Sequence, residues 1–247
     1  MDHGNIAEEI VLEQPVHMRN RRTSIKGVSI IAGLFLLGIG GTVLMDYANA
    51  DLAWTAKSYI QGGGCGGWVF CKRFPWGFLY DYGELPAWIM AIGAAVGLIL
   101  VRVGRVPASY ARPCVAVILT VAIGPGLLVN GVLKNYWGRP RPVEVAAFSG
   151  VEKFRAVSQP GGPGAGRSFP CGHCAMAFAV ASGVVFYRLH PVISVGALLG
   201  GIGFGVVMGA ARMNQGGHFP TDVLWSGIIL MMLIASLYYL VLKIPDS

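Results

Sequence analysis

Residues 27–45 read G-V-S-I-I-A-G-L-F-L-L-G-I-G-G-T-V-L-M, with no charged side chain among them. As a helix rising about 1.5 Å per residue, this run covers about 28 Å, close to the roughly 30 Å hydrocarbon core of a bilayer. A helix apolar on every face has no polar side to give to water, so the run reads as a membrane span. The rest of the chain agrees. Of its 247 residues, 54% are hydrophobic and 13% charged, against about 25% charged in ordinary soluble domains. The mean hydropathy is +0.60. Further apolar runs lie at 87–103, 113–133, 174–189, 191–211 and 221–242. Only helices or closed barrels satisfy the backbone inside lipid. The expectation is therefore an all-α, polytopic integral membrane protein with six transmembrane helices. Gly124-Pro125-Gly126 predicts a break in the third span. The glycine-rich stretch G-A-L-L-G-G-I-G-F-G in the fifth predicts close helix–helix approach.

The chain divides into a polar N-terminal tail, 1–26, and a membrane domain, 27–247. A signal peptide cleaved at Ala48-Asn49-Ala50 is the competing reading of the first run, but its apolar stretch is too long and a long polar tail precedes it. The net charge of +7 is spread over short loops between apolar runs, which suits membrane orientation and an anionic substrate and gives no nucleic-acid stripe. One side collects the basic tail (Arg19, Arg21, Arg22, Lys26), the 104–112 loop, the 188–190 turn and the C-terminus. The positive-inside rule then predicts both termini in the cytoplasm, with loops 46–86, 134–173 and 212–220 outside. In a bacterium, that is the periplasmic face of the inner membrane, where the pairs Cys65/Cys71 and Cys171/Cys174 are free to oxidise. The aromatic stretch 51–83 reads as an interfacial belt or as a platform for a lipid entering from the side.

Three polar clusters fall at helix mouths on that outer side. Lys134, Arg139 and Arg141 follow the third span, Cys171-Gly172-His173 opens the fourth, and Arg212, His218 and Asp222 bridge the fifth and sixth. Lys134, Arg141 and Arg212 offer concentrated positive charge, and guanidinium groups make forked contacts to phosphate oxygens. Gly172 and the following helix start offer free backbone N–H groups. His218 and Asp222 stand four residues apart, so the carboxylate can hold one imidazole tautomer. A histidine backed by a carboxylate, beside a second histidine, His173, supplies a nucleophile and an acid or base; the cations mark the electrophile as phosphoryl. Taken singly, each cluster has a plainer use as interfacial cations, a helix cap or a structural pair. Their convergence on one face is what points to chemistry.

Cys171-Gly172-His173-Cys174 also spells C-G-H-C, the tetrapeptide of thiol–disulfide exchangers, and its spacing suits zinc. A redox catalyst needs that motif in a βαβ context, which a helical membrane chain does not offer, and the phosphoryl chemistry already requires His173.

The patterns Lys134…Arg141-Pro142, Pro170-Cys171-Gly172-His173 and Ala211-Arg212…His218…Asp222 resemble K-x6-R-P, P-S-G-H and S-R-x5-H-x3-D. These are the motifs of the type 2 phosphatidic acid phosphatase (PAP2) superfamily. The resemblance implies a six-helix membrane phosphatase acting on a phosphorylated lipid without metal or other cofactor. By carry-over, His218 forms a phosphohistidine, Asp222 orients it and His173 protonates the leaving alkoxide. Lys134, Arg141, Arg212, Cys171 and Gly172 bind phosphate. Cys171 and Ala211 replace the two serines; a thiol is a weak donor, and the loss of one hydroxyl bond costs on the order of 1 kcal/mol. The wording A-R-M-x-Q-G-x-H-F-x-x-D-V is similar to lipid A phosphatases, and Lys153, Arg155 and Arg167 suit a multiply phosphorylated headgroup. Undecaprenyl diphosphate, phosphatidylglycerol phosphate and phosphatidic acid are the other lipid candidates. Transfer of the phosphoryl group to a second lipid is the alternative reaction, and anion binding or transport without chemistry is the third reading.

Overall fold

The computed structural model of the chain describes residues 16–70 and 74–244, with side chains described from residue 23. The first 15 residues of the tail, Cys71 and the C-terminal end lie outside the described residues. Helices make up the fold: α1 (Val16–Tyr47), α2 (Ala50–Lys57), α3 (Trp76–Tyr82), α4 (Leu85–Arg102), α5 (Ala111–Val121), α6 (Lys134–Tyr136), α7 (Gly172–Ala179), α8 (Pro191–Asn214) and α9 (Pro220–Ala235). Among the described residues, strand pairing is limited to two isolated bridges, Tyr59 with Trp68 and Val145 with Glu152.

Five helical stretches are long and apolar enough to cross a membrane: Thr23–Tyr47, Trp76–Arg102, Ala108–Tyr136, Pro191–Asn214 and Pro220–Val241. Gly172–Phe186, at the place of the fourth expected span, is apolar but shorter. Two boundaries differ from the sequence reading. The basic flank expected to belong to the tail is already helical from Val16, because Arg, Lys and Met are good helix formers. The second span starts at Trp76, with α3 and α4 separated only by Gly83-Glu84.

The Gly124-Pro125-Gly126 break takes the form of a wide π-helical stretch, Ala122–Leu133, that joins α5 to α6. Pro125 cannot donate a backbone bond, and Asn130 Nδ2 donates to its carbonyl at 2.8 Å. That widening carries Asn130 and Lys134 to the mouth of the bundle. α7 is the central helix. Its Cys174, Ala175, Ala177 and Ala179 are buried, and it packs against α8, α9 and the π stretch. Small residues on α8 allow this approach: a Cβ on Gly201 would strike Ala181 backbone, and one on Gly205 would strike the Phe178 ring. α1 docks on α9, where Trp225 Nε1 donates to Thr42 Oγ1 at 2.9 Å and the Trp225 ring lies over Gly38.

Candidate active site

Four helix ends converge: the last turn of α8 with Arg212, the first turn of α9 with Asp222, the first turn of α7 with His173, and α6 with Lys134. The local sequence dictates the α8–α9 corner. Gly216 turns the chain with φ 69°, close under the Trp68 ring, where a side chain has no room. Phe219 is extended and Pro220 opens α9, so Asp222 falls where its carboxylate reaches back to accept the Phe219 N–H at 2.8 Å. His218 sits in the corner, buried.

The sequence-identified cations gather around this corner. Arg141, Arg167 and Arg212 all act on Lys134 by charge, and Arg212, Lys134 and Arg141 act on His173. Lys134 Nζ donates to Asn130 Oδ1 at 3.3 Å. A Cβ on Gly172 would lie 2.8 Å from that Oδ1 and 3.1 Å from Lys134 Nζ, so glycine is what lets the lysine reach the start of α7. Arg212 donates to Gln215 Oε1 at 2.6 Å and lies over the Tyr80 ring at 4.7 Å; Tyr80 in turn stacks on His173 with centroids 4.9 Å apart. One aromatic from the 51–83 stretch therefore forms a wall of the pocket, while Trp54, Phe74, Phe78 and Tyr82 stay exposed. Glu84 stands 3.8 Å from His173 Nε2. Among the described residues, Lys134, Arg141 and Arg212 form no ion pair, and buried Nε atoms of Arg141 and Arg212 have no hydrogen-bond partner. Unpaired cations at a buried mouth are arranged for an anion that arrives from outside.

His218 Nδ1 lies 3.6 Å from Asp222 Oδ2, just beyond hydrogen-bond range, and it has no hydrogen-bond partner. Burial pushes the His218 pKa down to about 4, against the pull of Asp222, with Arg212 and Lys134 adding to the depression. The imidazole is therefore neutral at pH 7, as a nucleophile requires.

The sequence reading missed what holds Asp222. Its Oδ1 accepts from Arg139 Nη1 at 2.6 Å and its Oδ2 from Ser168 Oγ at 2.6 Å. Arg139 also donates to Asp51 Oδ2 at 2.5 Å, Thr221 Oγ1 at 2.7 Å and the Arg155 carbonyl at 2.9 Å. It is wholly buried. Burial opposes its charge, but Asp222 and Asp51 outweigh burial and raise its pKa above the ordinary guanidinium value. The signal was available: a carboxylate buried at a helix start needs a full cation, and Arg139 lay in the R-P-R-P segment beside the predicted Arg141.

Cys171 is bonded to Cys174. Its sulfur caps α7 by accepting the Cys174 N–H at 3.2 Å. The expectation that Cys171 binds phosphate through its side chain is corrected accordingly: a disulfide sulfur has no proton to donate, and this turn can offer only backbone N–H groups. Cys65 is disulfide-bonded too, and Cys114 is a buried free thiol. Among the described residues, no three His, Cys, Asp or Glu side chains gather as a metal site.

Residues 110–245 match the PAP2 superfamily. A lipid A 4'-phosphatase of Francisella tularensis subsp. novicida (strain U112) is 29% identical over 211 residues, covering 81% of this chain and 89% of that protein. A lipid A 4'-phosphatase of Rhizobium leguminosarum is 34% identical over 119 residues, 48% of this chain and 50% of that protein. One from Rhizobium etli is 32% identical over 122 residues. No solved structure matches.

Proposed function

The chain belongs to the PAP2 superfamily, and on that premise we propose that it hydrolyses a phosphate ester of lipid A at the periplasmic face of a bacterial inner membrane, with both termini in the cytoplasm. The observation that carries this reading is the set of cations, Lys134, Arg141 and Arg212, left without ion pairs among the described residues and gathered around two histidines. The lipid A 4'-phosphatases among its relatives support the substrate.

Lys134, Arg141, Arg212 and the first backbone N–H groups of α7 bind the phosphoryl oxygens and stabilise the charge that spreads over them in the transition state. With Nδ1 turned toward Asp222, His218 attacks phosphorus through Nε2. The P–O bond to the sugar breaks, and His173 gives its proton to the leaving alkoxide. Asp222 offsets the positive charge that develops on the phosphorylated imidazole. Water then attacks the phosphohistidine, His173 takes its proton, and inorganic phosphate leaves.

The test is phosphate release by the purified protein in detergent from lipid A, undecaprenyl diphosphate and phosphatidylglycerol phosphate, each supplied alone. Release is expected from lipid A. Release from one of the others instead overturns the substrate, and release only after an acceptor lipid is added converts the hydrolase into a phosphotransferase.

Two further outcomes are expected. The His218 imidazole, followed by NMR in protein labelled with ¹⁵N-histidine, titrates at about pH 4, because burial disfavours its cation, and it is neutral above that pH. A midpoint near the ordinary histidine value would contradict the buried environment of His218. Cys174→Ala opens the ring that braces the first turn of α7, and KM is expected to rise about fivefold with kcat nearly constant. An unchanged KM would remove the disulfide from phosphate binding.

A further inference from the structure

Asp51 and Arg139 have no part in the chemistry above, yet both are buried charges directly behind it. We propose that they are positioning residues: with Asp222 they form a buried carboxylate–guanidinium–carboxylate chain that fixes Asp222 and keeps one net negative charge behind His218 as it becomes a phosphoimidazolium. This rests on His218 being the nucleophile.

The geometry assigns each member one task. Asp51 reaches from the first turn of α2 to the first turn of α9, where its Oδ1 accepts the Thr221 N–H at 3.0 Å and its Oδ2 the Thr221 hydroxyl at 2.7 Å. Arg139 bridges the two carboxylates, and its guanidinium carbon lies 4.5 Å from the centre of the Phe219 ring and 5.7 Å from that of Phe154, which keep water away. Asp222 is thereby held on both oxygens while Oδ2 still faces His218 Nδ1.

Charge explains why two carboxylates are present. Arg139 alone would cancel Asp222 and leave nothing to balance the cationic imidazole. Asp51 restores one negative charge without touching the histidine. The other charges that face His218 are Arg212 from α8 and Lys134 from α6, both positive, and the same two act on His173 of α7. They disfavour the imidazolium, so the charge behind the ring decides how readily it forms.

A purely structural role and this one predict opposite results for a double substitution. The full chain, labelled with ¹⁵N-histidine in detergent, gives the His218 titration by NMR, with His218→Asn identifying the resonance; phosphate release from lipid A is followed in parallel. In Asp51→Asn, the chain becomes neutral. The His218 midpoint is expected to fall by about one pH unit, and kcat by about tenfold with KM within about twofold. Asp51→Asn/Arg139→Gln removes one charge of each sign and is expected to regain the midpoint and most of kcat, although it has lost more hydrogen bonds. Asp51→Glu should stay near wild type. Asp51→Ser, which keeps an oxygen for the Thr221 N–H, is expected to shift as Asp51→Asn does and serves if the amide facing Arg139 prevents folding. A midpoint that Asp51→Asn and Asp51→Ser leave unmoved, or a double variant worse than the single, overturns the proposal. NMR shifts as expected with no phosphate release from any lipid would overturn the phosphatase reading and leave the charge chain standing.

Discussion

His218→Ala is expected to lower phosphate release by about four to six orders of magnitude, the loss typical of an excised nucleophile, while the protein stays folded and still binds the lipid. The reasons are local. His218 Nδ1 makes no hydrogen bond, so its removal strands no partner. Asp222 keeps Arg139, Ser168 and the Phe219 N–H. Lys134, Arg141 and Arg212 remain to hold phosphate. The check is single-turnover hydrolysis alongside a binding measurement on radiolabelled lipid A. Activity within about tenfold of wild type would mean that His218 is not the nucleophile.

The second large effect falls on stability. Arg139→Ala leaves Asp51 and Asp222 buried side by side without their shared cation, and breaking a buried pair in this way costs about 3–5 kcal/mol. For a chain of this size, that lowers the unfolding midpoint on the order of 10 °C, readable by thermal unfolding in detergent. Arg141→Ala is the contrasting variant. Arg141 forms no ion pair among the described residues, so its loss is expected to raise KM with little change in midpoint. Equal midpoints for the two variants would show that the burial of Arg139 carries no such cost.

These two arginines also mark the limit of what the sequence discloses. Lys134, Arg141, His173, Arg212, His218 and Asp222 were legible because each stands at the end of an apolar run, and spacing along one chain brings such ends to one face. Arg139 was read only as an interfacial cation. Its partners lie 88 and 83 positions away, beyond the reach of any local spacing rule. Ser168 was assigned no role, yet its hydroxyl bonds the Asp222 carboxylate across 54 positions. Spans were legible wherever large aliphatic residues made them so. The fourth was blurred because α7 is built of small residues chosen for burial against protein rather than for contact with lipid, and because it narrows to a 3-10 helix over Val180–Phe186. The Cys171–Cys174 disulfide was open in the sequence, as a pair free to oxidise on the outer face, but the local pattern C-G-H-C fits a thiol pair, a metal site or a phosphate loop equally well and does not choose among them.

The contact between Asp51 and Thr221 spans 170 positions of the 247-residue chain. At ordinary rates of synthesis, about 10–30 s pass between the emergence of the two residues. Through that interval, Asp51 waits as a solvated carboxylate beside the membrane, and Arg139 joins it with no second acid to bridge. Only the arrival of the last helix closes the circuit, and the same event delivers His218. A chain stalled before the α8–α9 corner therefore holds Lys134 and Arg141 without Arg212, His218 or Asp222, so the site is completed only late in translation.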